Sequence, residues 1–316
     1  MNIIDNNFKM LSNIIKNSSL EDIYQNIRNS FNRIGPDIQE GLEDYFDKFP
    51  YWGKIERSNG IYEELYYRAK SLKEHIDDYV WLYDKLGDYR SKKLLFAILN
   101  NWYQFDFATL NTSIEKNYPH YFDLDLVKCT EKEVFVDLGA YTGDTVIDYL
   151  NYYGADNYSK IYCYEITDDS FLVLKNNLCY YPNINFVKKA VSNEIGKLYF
   201  LKSGVDDSAN MVTGSGDIEI DSTTIDEDIK ECISMIKMDI EGSEVKALEG
   251  AKSHIINDHP KLLISVYHNH DDLWKIPKMI EEMCSGYNFY LRYYGNNIFP
   301  TETVLIAIYK ENEDLI

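Results

Sequence analysis

Four short segments hold residues whose types and spacing could do chemistry. The first is VFVDLGAYTGDT, residues 134–145, which reads as a buried strand, a glycine-bearing turn and a helix start. Gly139 lets the chain turn sharply off the strand, and Gly143 permits close approach of the helix start. The main chain between them, through Ala140 and Tyr141, can pack against a nucleoside or an amino-acid tail. Asp137 ends the strand, where a carboxylate can meet the ammonium of a methionine moiety. The spacing differs from the G-x-G-x-x-G of dinucleotide sites, because Tyr141 stands where a second glycine would admit a pyrophosphate.

The second segment is KIYCYEI. Its Glu165 lies 28 residues after Asp137 (165 − 137), at a strand tip where a carboxylate can accept both hydroxyls of a ribose. A plainer role is helix capping, since Asp168 and Asp169 follow. The third is MDIEGSEVKALEGA. If its strand end is extended, Asp239 and Glu241 point to one side of the sheet tip, Gly242 turns the chain, and Ser243 can cap a helix. The fourth is SVYHNHDD, which places His268 at the same sheet edge. Asp239, Glu241 and His268 together could act as a general-base site or hold a hard divalent cation such as Mg²⁺. The reading favours a metal-free base, with Asp239 and Glu241 as ligands should a metal be used. A small-residue turn, Lys189-Ala190-Val191, ends the third strand and suits an adenine edge.

Residues able to converge in this way need elements that hold them. From residue 133 short β-branched runs, EVFVDLG, KIYCYEI, INFVKKAV, SMIKMDI and KLLISVYH, alternate with segments of helical apolar spacing. That alternation predicts an α/β domain, a Rossmann-like parallel sheet covered by helices on both faces. YNFYLRYYG and TVLIAIYK follow with a short Asn/Pro link, so the last strand should run antiparallel. Residues 1–120 read instead as helical. Ile61, Leu65, Ala69, Leu72, Ile76, Val80 and Tyr83 share one face of a helix bracketed by Gly60 and Gly87, KKLLFAILNNWYQF forms another, and Gly35-Pro36 interrupts an earlier one. The expected division is a helical region over 1–120, serving as scaffold, substrate cover or dimerisation surface, and a catalytic domain over 121–316.

Composition narrows the partners. The 316 residues carry 52 acids against 32 bases, a net charge of −20, which repels a phosphate backbone and argues against nucleic-acid substrates. No apolar run approaches a membrane span, and the N-terminus does not read as a signal peptide. Five dispersed cysteines without a CxxC pair point to reduced thiols and a cytoplasmic protein.

The block VFVDLGAYTGDT, the strand ending in Glu165, KKAVS, the STTIDED stretch and above all KMDIEGSEVKALEGA resemble the FkbM family of S-adenosylmethionine-dependent O-methyltransferases. The lead-in YFDLDLVK is similar too, and the resemblance spans about residues 120 to 310. It implies a class I methyltransferase fold and S-adenosylmethionine as cofactor, surrounded by Asp137, Gly139, Gly143 and Glu165. The implied acceptor is a hydroxyl of a sugar, sugar nucleotide, glycan or polyketide-type molecule. The 201–217 stretch, LKSGVDDSANMVTGSGD, matches only in its Ser-Ala-Asn part. Three other readings stand beside this one: an NAD-dependent oxidoreductase, a non-catalytic binding or assembly protein working through the N-terminal helices, and methyl transfer to a protein or nitrogen acceptor. Those helices could also join copies of the chain into a homo-oligomer.

Overall fold

The computed structural model describes residues 2–49, 52–201, 211–213, 218–296 and 298–312. The chain forms two compact units, each discontinuous in sequence. One comprises Met1–Glu115, Val266–Lys278 and Phe289–Val304; the other comprises Lys116–Ser265, Met279–Asn288 and Leu305–Ile316.

A seven-stranded sheet is built from β1 (Glu133–Leu138), β2 (Tyr158–Tyr164), β3 (Ile184–Val187), β4 (Met235–Met238), β5 (Lys261–Ser265), β6 (Tyr287–Tyr293) and β7 (Thr303–Tyr309), in the order β6-β7-β5-β4-β1-β2-β3. The pairs β1·β2, β2·β3, β1·β4 and β4·β5 are parallel. The link from β6 to β7 is too short for a parallel crossover, so neighbours β6 and β7 run antiparallel. Every residue of β1, β4 and β5 is buried, as expected of strands covered on both faces. That burial includes two lysines, each answered by an acid of β1. Lys237 faces Asp137 across the ladder, and Lys261 pairs with Glu133.

Three expected elements are divided differently. INFVKKAV is not one strand: β3 stops at Val187, and Ala190–Val191 pairs with Ile218–Thr223 in a separate four-stranded sheet. That sheet also holds Gly196–Leu201 and Met211–Thr213, so part of the 201–217 stretch is strand, while 202–210 and 214–217 lie outside the described residues. SEVKALEGAKSHII forms two helices, Glu244–Glu249 and Lys252–Asn257. They break at Gly250, where a Cβ would sit 2.0 Å from the Ser192 carbonyl oxygen. Finally, β5 ends at Ser265, so His268 lies three residues beyond the strand.

The other unit is largely helical, with α1 (Ile3–Asn17), α2 (Leu20–Phe31), α3 (Pro36–Lys48), α4 (Glu63–Lys85) and α5 (Tyr89–Gln104). Asn2 with Asp5 and Ser19 with Asp22 form capping boxes, and Pro36 opens α3. The apolar face of α4 is the expected one with two changes. Ile61 and Tyr62 pair with Ile55 and Glu56, so the helix starts at Glu63. His75 leaves helical geometry (φ −120°, ψ 17°), and beyond it Tyr79 rather than Val80 is fully buried.

Candidate active site

The turn after β1 is tightly determined. Gly139 (φ +78°) and Gly143 (φ +86°) occupy the left-handed region, and so does Tyr141 (φ +43°). Gly139 and Ala140 N–H groups both donate to the Tyr164 carbonyl, at 3.0 and 2.9 Å, tying the turn to the end of β2. A Cβ on Gly139 would lie 1.9 Å from the Asp239 carbonyl oxygen, so only glycine fits. The glycine therefore brings the β1 and β4 tips together.

Glu165 stands at the tip of β2 and is buried. Its two oxygens accept from main-chain N–H groups, Tyr141 at 3.0 Å and Thr167 at 2.7 Å. Burial raises its carboxyl above the usual range, and these donors offset part of that shift. Each carboxylate oxygen can accept more than one hydrogen bond, so capacity for ligand hydroxyls remains. Thr167, at the N-cap position of Asp168–Leu178, makes no side-chain cap there. Beside this tip Ala190 is buried in an apolar cluster with Ile220, against which Ile166 and Leu198 pack. Ala190 thus lies near the second strand tip although it belongs to another sheet.

Asp137 is fully buried, 3.1 Å from Lys237 Nζ, and that lysine donates to the Gly139 carbonyl at 2.7 Å. Burial pushes the Asp137 carboxyl up to about 6 despite the lysine, with Asp144 and Asp239 adding like charge. Sequence reasoning missed Lys237. Its signal was a lysine inside a strand otherwise apolar, which has to find an acid.

At the β4 tip, Asp239 Oδ2 accepts from Tyr121 OH at 2.7 Å, and Tyr121 OH lies 3.2 Å from Ser265 Oγ. His120 stacks flat on Tyr121, with ring centroids 4.1 Å apart. Burial lowers its pKa to about 4, partly countered by Asp239, so the imidazole is neutral at physiological pH. Tyr121 opens the YFDLDLVK stretch and His120 precedes it, and sequence reasoning assigned neither a role. The β4 tip is not extended as expected: Glu241 (φ +54°) and Gly242 (φ +90°) are successive left-handed residues. Strand alternation therefore does not align Asp239 with Glu241, and a non-glycine residue held there costs about 1–3 kcal/mol. Ser243 makes no side-chain cap; Glu244 accepts from the Ile240 N–H instead, at 2.9 Å.

His268 belongs to the helical unit and is buried, with its ring beside Tyr267. The segment around it is held along its length. Trp52 Nε1 donates to the Tyr267 carbonyl at 3.1 Å, Tyr79 OH to the His270 carbonyl at 3.1 Å, and Ser71 Oγ to Asp271 at 2.8 Å. His270 also meets Glu64, which pairs with the buried Arg68.

A family model described as the Methyltransferase FkbM domain matches residues 137–297, that is 161 of 316 residues (297 − 137 + 1), just over half of the chain. No curated protein matches by sequence. Among solved structures, methyltransferase FkbM from Methylobacillus flagellatus KT is 23% identical, with 84% of this chain and 70% of that one covered and a TM-score of 0.64. At that identity the likeness shows the fold. Fibrillarin of Aeropyrum pernix, with natively bound S-adenosyl-L-methionine, is 12% identical over 58% of this chain and 69% of its own, with a TM-score of 0.34. A likeness that distant carries no argument about this chain. No helix among the described residues is long and apolar enough to cross a membrane.

Proposed function

We propose that this chain, which belongs to the FkbM methyltransferase family, moves a methyl group from S-adenosylmethionine to a hydroxyl of a sugar, sugar nucleotide or glycan-type acceptor. The observation that carries the cofactor assignment is the Gly139–Tyr141 turn locked to Glu165 through the Tyr141 N–H. It presents a buried carboxylate with spare acceptor capacity beside a close-packed glycine turn, which suits a ribose. Ala140, Tyr141 and Gly143 line the same turn, the cluster of Ala190 and Ile166 offers apolar surface for an adenine, and Asp137 offers charge for an ammonium. Tyr141, where a dinucleotide site needs glycine, supports this cofactor over NAD.

When bound, S-adenosylmethionine supplies an electrophilic methyl group on a sulfonium. The chain must orient the acceptor oxygen and remove its proton as the O–C bond forms. We assign the proton to His268, and place Asp239 and Glu241 with it as the charged groups that orient the hydroxyl and stabilise the imidazolium. General-base help of this kind contributes about 10²–10⁴-fold. Two carboxylates and an imidazole are also donors a divalent cation such as Mg²⁺ accepts. The metal-free reading expects EDTA to leave turnover unchanged. The five free cysteines fit a reducing, cytoplasmic setting, and exposed Ile3, Met10 and Ile14 along α1 support association of copies through the N-terminal helices.

Calorimetry with S-adenosylhomocysteine and with NAD tests the cofactor, and mass spectrometry of a glycan and sugar-nucleotide panel tests the acceptor. S-adenosylhomocysteine should bind, NAD should not, and one acceptor should gain the mass of a methyl group. His268→Ala or Asp239→Asn should lower kcat with much smaller changes in cofactor affinity. Near-normal turnover in both variants, with no effect of EDTA, would remove these residues from the chemistry.

A further inference from the structure

We propose that a cavity of about 250 Å³ in the helical unit is the subsite for a single neutral or amino-bearing sugar ring of the acceptor, and that it excludes phosphate-bearing groups. This rests on the reading above that the acceptor carries sugar hydroxyls. One wall is the face of α4 bearing Tyr67, Lys70 and Glu74, spaced three and four apart so that they share a side of the helix. The opposite wall is Asn269, His270 and Asp271, the residues directly after His268 in the chain.

The walls are preorganised. Ser71 Oγ bonds Asp271 at 2.8 Å and Tyr79 OH bonds the His270 carbonyl at 3.1 Å, so α4 and this segment are fixed to each other before any ligand arrives. Tyr67 is 44% exposed, yet its ring is backed by Gly53 (φ +96°), where a Cβ would come within 2.9 Å of the ring. Main chain therefore supports an aromatic surface that stays open to solvent. An aromatic face suits the C–H side of a pyranose, while carboxylate, amide and ammonium groups suit its hydroxyls, which both donate and accept.

Charge and size restrict the ligand. The carboxylates of Glu74 and Asp271 outnumber the single ammonium of Lys70, in a chain of net charge −20, so a phosphate meets repulsion. The volume is below the roughly 300–1,000 Å³ of sites for drug-sized ligands, and suits one ring rather than an extended chain.

The test is titration of the full chain, without cofactor, by methyl glycosides of glucose, galactose and glucosamine and by uridine diphosphate glucose. At least one methyl glycoside should bind. Glu74→Ala and Tyr67→Ala, both at exposed positions, should each weaken that binding about tenfold, the scale of one lost charged hydrogen bond or aromatic contact. The same variants should keep wild-type thermal unfolding and S-adenosylhomocysteine affinity, and the nucleotide sugar should bind more weakly than its methyl glycoside. Binding of no glycoside, glycoside binding unchanged in both variants, or equal or tighter binding of the nucleotide sugar overturns the proposal. If a glycan is methylated while both variants bind glycoside normally, the cavity assignment fails and the acceptor class stands. If S-adenosylhomocysteine binds and no hydroxylated acceptor gains a methyl group, the acceptor class itself fails.

Discussion

Each unit buries an acid against a base, and the two pairs behave in opposite ways. In the helical unit Glu64 and Arg68 are both sealed from solvent, Arg68 lies over the rings of Phe105 and Phe299, and His270 adds a second donor to Glu64. Burial works to raise the Glu64 carboxyl, yet Arg68 and His270 together hold it below its ordinary value. In the sheet unit Asp137 meets Lys237, and Asp144 and Asp239 add like charge. There burial prevails, and the carboxyl rises to about 6. The difference lies in the groups that face each acid rather than in the depth of burial. An acid gripped by a guanidinium and an imidazole is locked as structure; an acid with one lysine and acidic neighbours is left poised to titrate.

Breaking the sheet unit at its tightest point should give the largest effect. Gly139→Val forces a branched side chain into the Asp239 carbonyl, where even a Cβ would sit at 1.9 Å. Loss of more than about 4 kcal/mol of stability, or a folded protein without S-adenosylhomocysteine binding, is expected from thermal melts and calorimetry. Normal binding in this variant would mean that the turn does not form the cofactor site.

The locked pair comes next. Arg68→Leu leaves the Glu64 charge buried with only His270 beside it, and urea denaturation should show a loss of about 3–5 kcal/mol. Replacing both members, as Glu64→Leu with Arg68→Met, should recover most of that loss. A double variant as unstable as the single one would show that packing, not charge, decides this region.

The poised pair is read through pH. Because the folded pKa of Asp137 (about 6) is raised above its ordinary value of 3.8, the stability it favours is fully present below about pH 4. That stability is lost as pH rises through about 6. Relative to Asp137→Asn, the wild type should therefore lose up to about 3 kcal/mol between pH 4 and 6 and change little above that. A stability difference between the two proteins that is flat with pH would place Asp137 among the locked acids.

The smallest effect should come from Glu165→Ala. It removes a buried carboxylate that accepts from two main-chain N–H groups. S-adenosylhomocysteine binding should weaken by about 1.5–3 kcal/mol with the fold retained. Unchanged affinity in a folded variant would reduce Glu165 to a fastener of the glycine turn.

The sheet and its order of elements were legible because strands buried on both faces write nearly continuous apolar runs, as VFVDL and MIKM do apart from the paired Asp137 and Lys237. The glycine turn was legible because left-handed backbone selects residue type. Boundaries were less so. Ala190 moved to a second sheet, and the helix after Gly242 broke at Gly250, where the approach of Ser192 is invisible to local periodicity. The roles of Tyr121 and His120 escaped notice because Tyr121 reaches Asp239 from 118 positions away and His120 is placed by stacking on it.

By itself the sequence determined what depends on neighbours along the chain: helix and strand periods, caps such as Asn2 and Ser19, and glycines where the backbone must turn left-handed. Only the tertiary structure decided which charges meet. That Asp137 answers Lys237, that Glu64 answers Arg68 and His270, and that α4 grips the segment after His268 are facts of distance in space. A carboxylate's ionisation is set by burial and by the charges within a few ångströms, and neither quantity is written in local order.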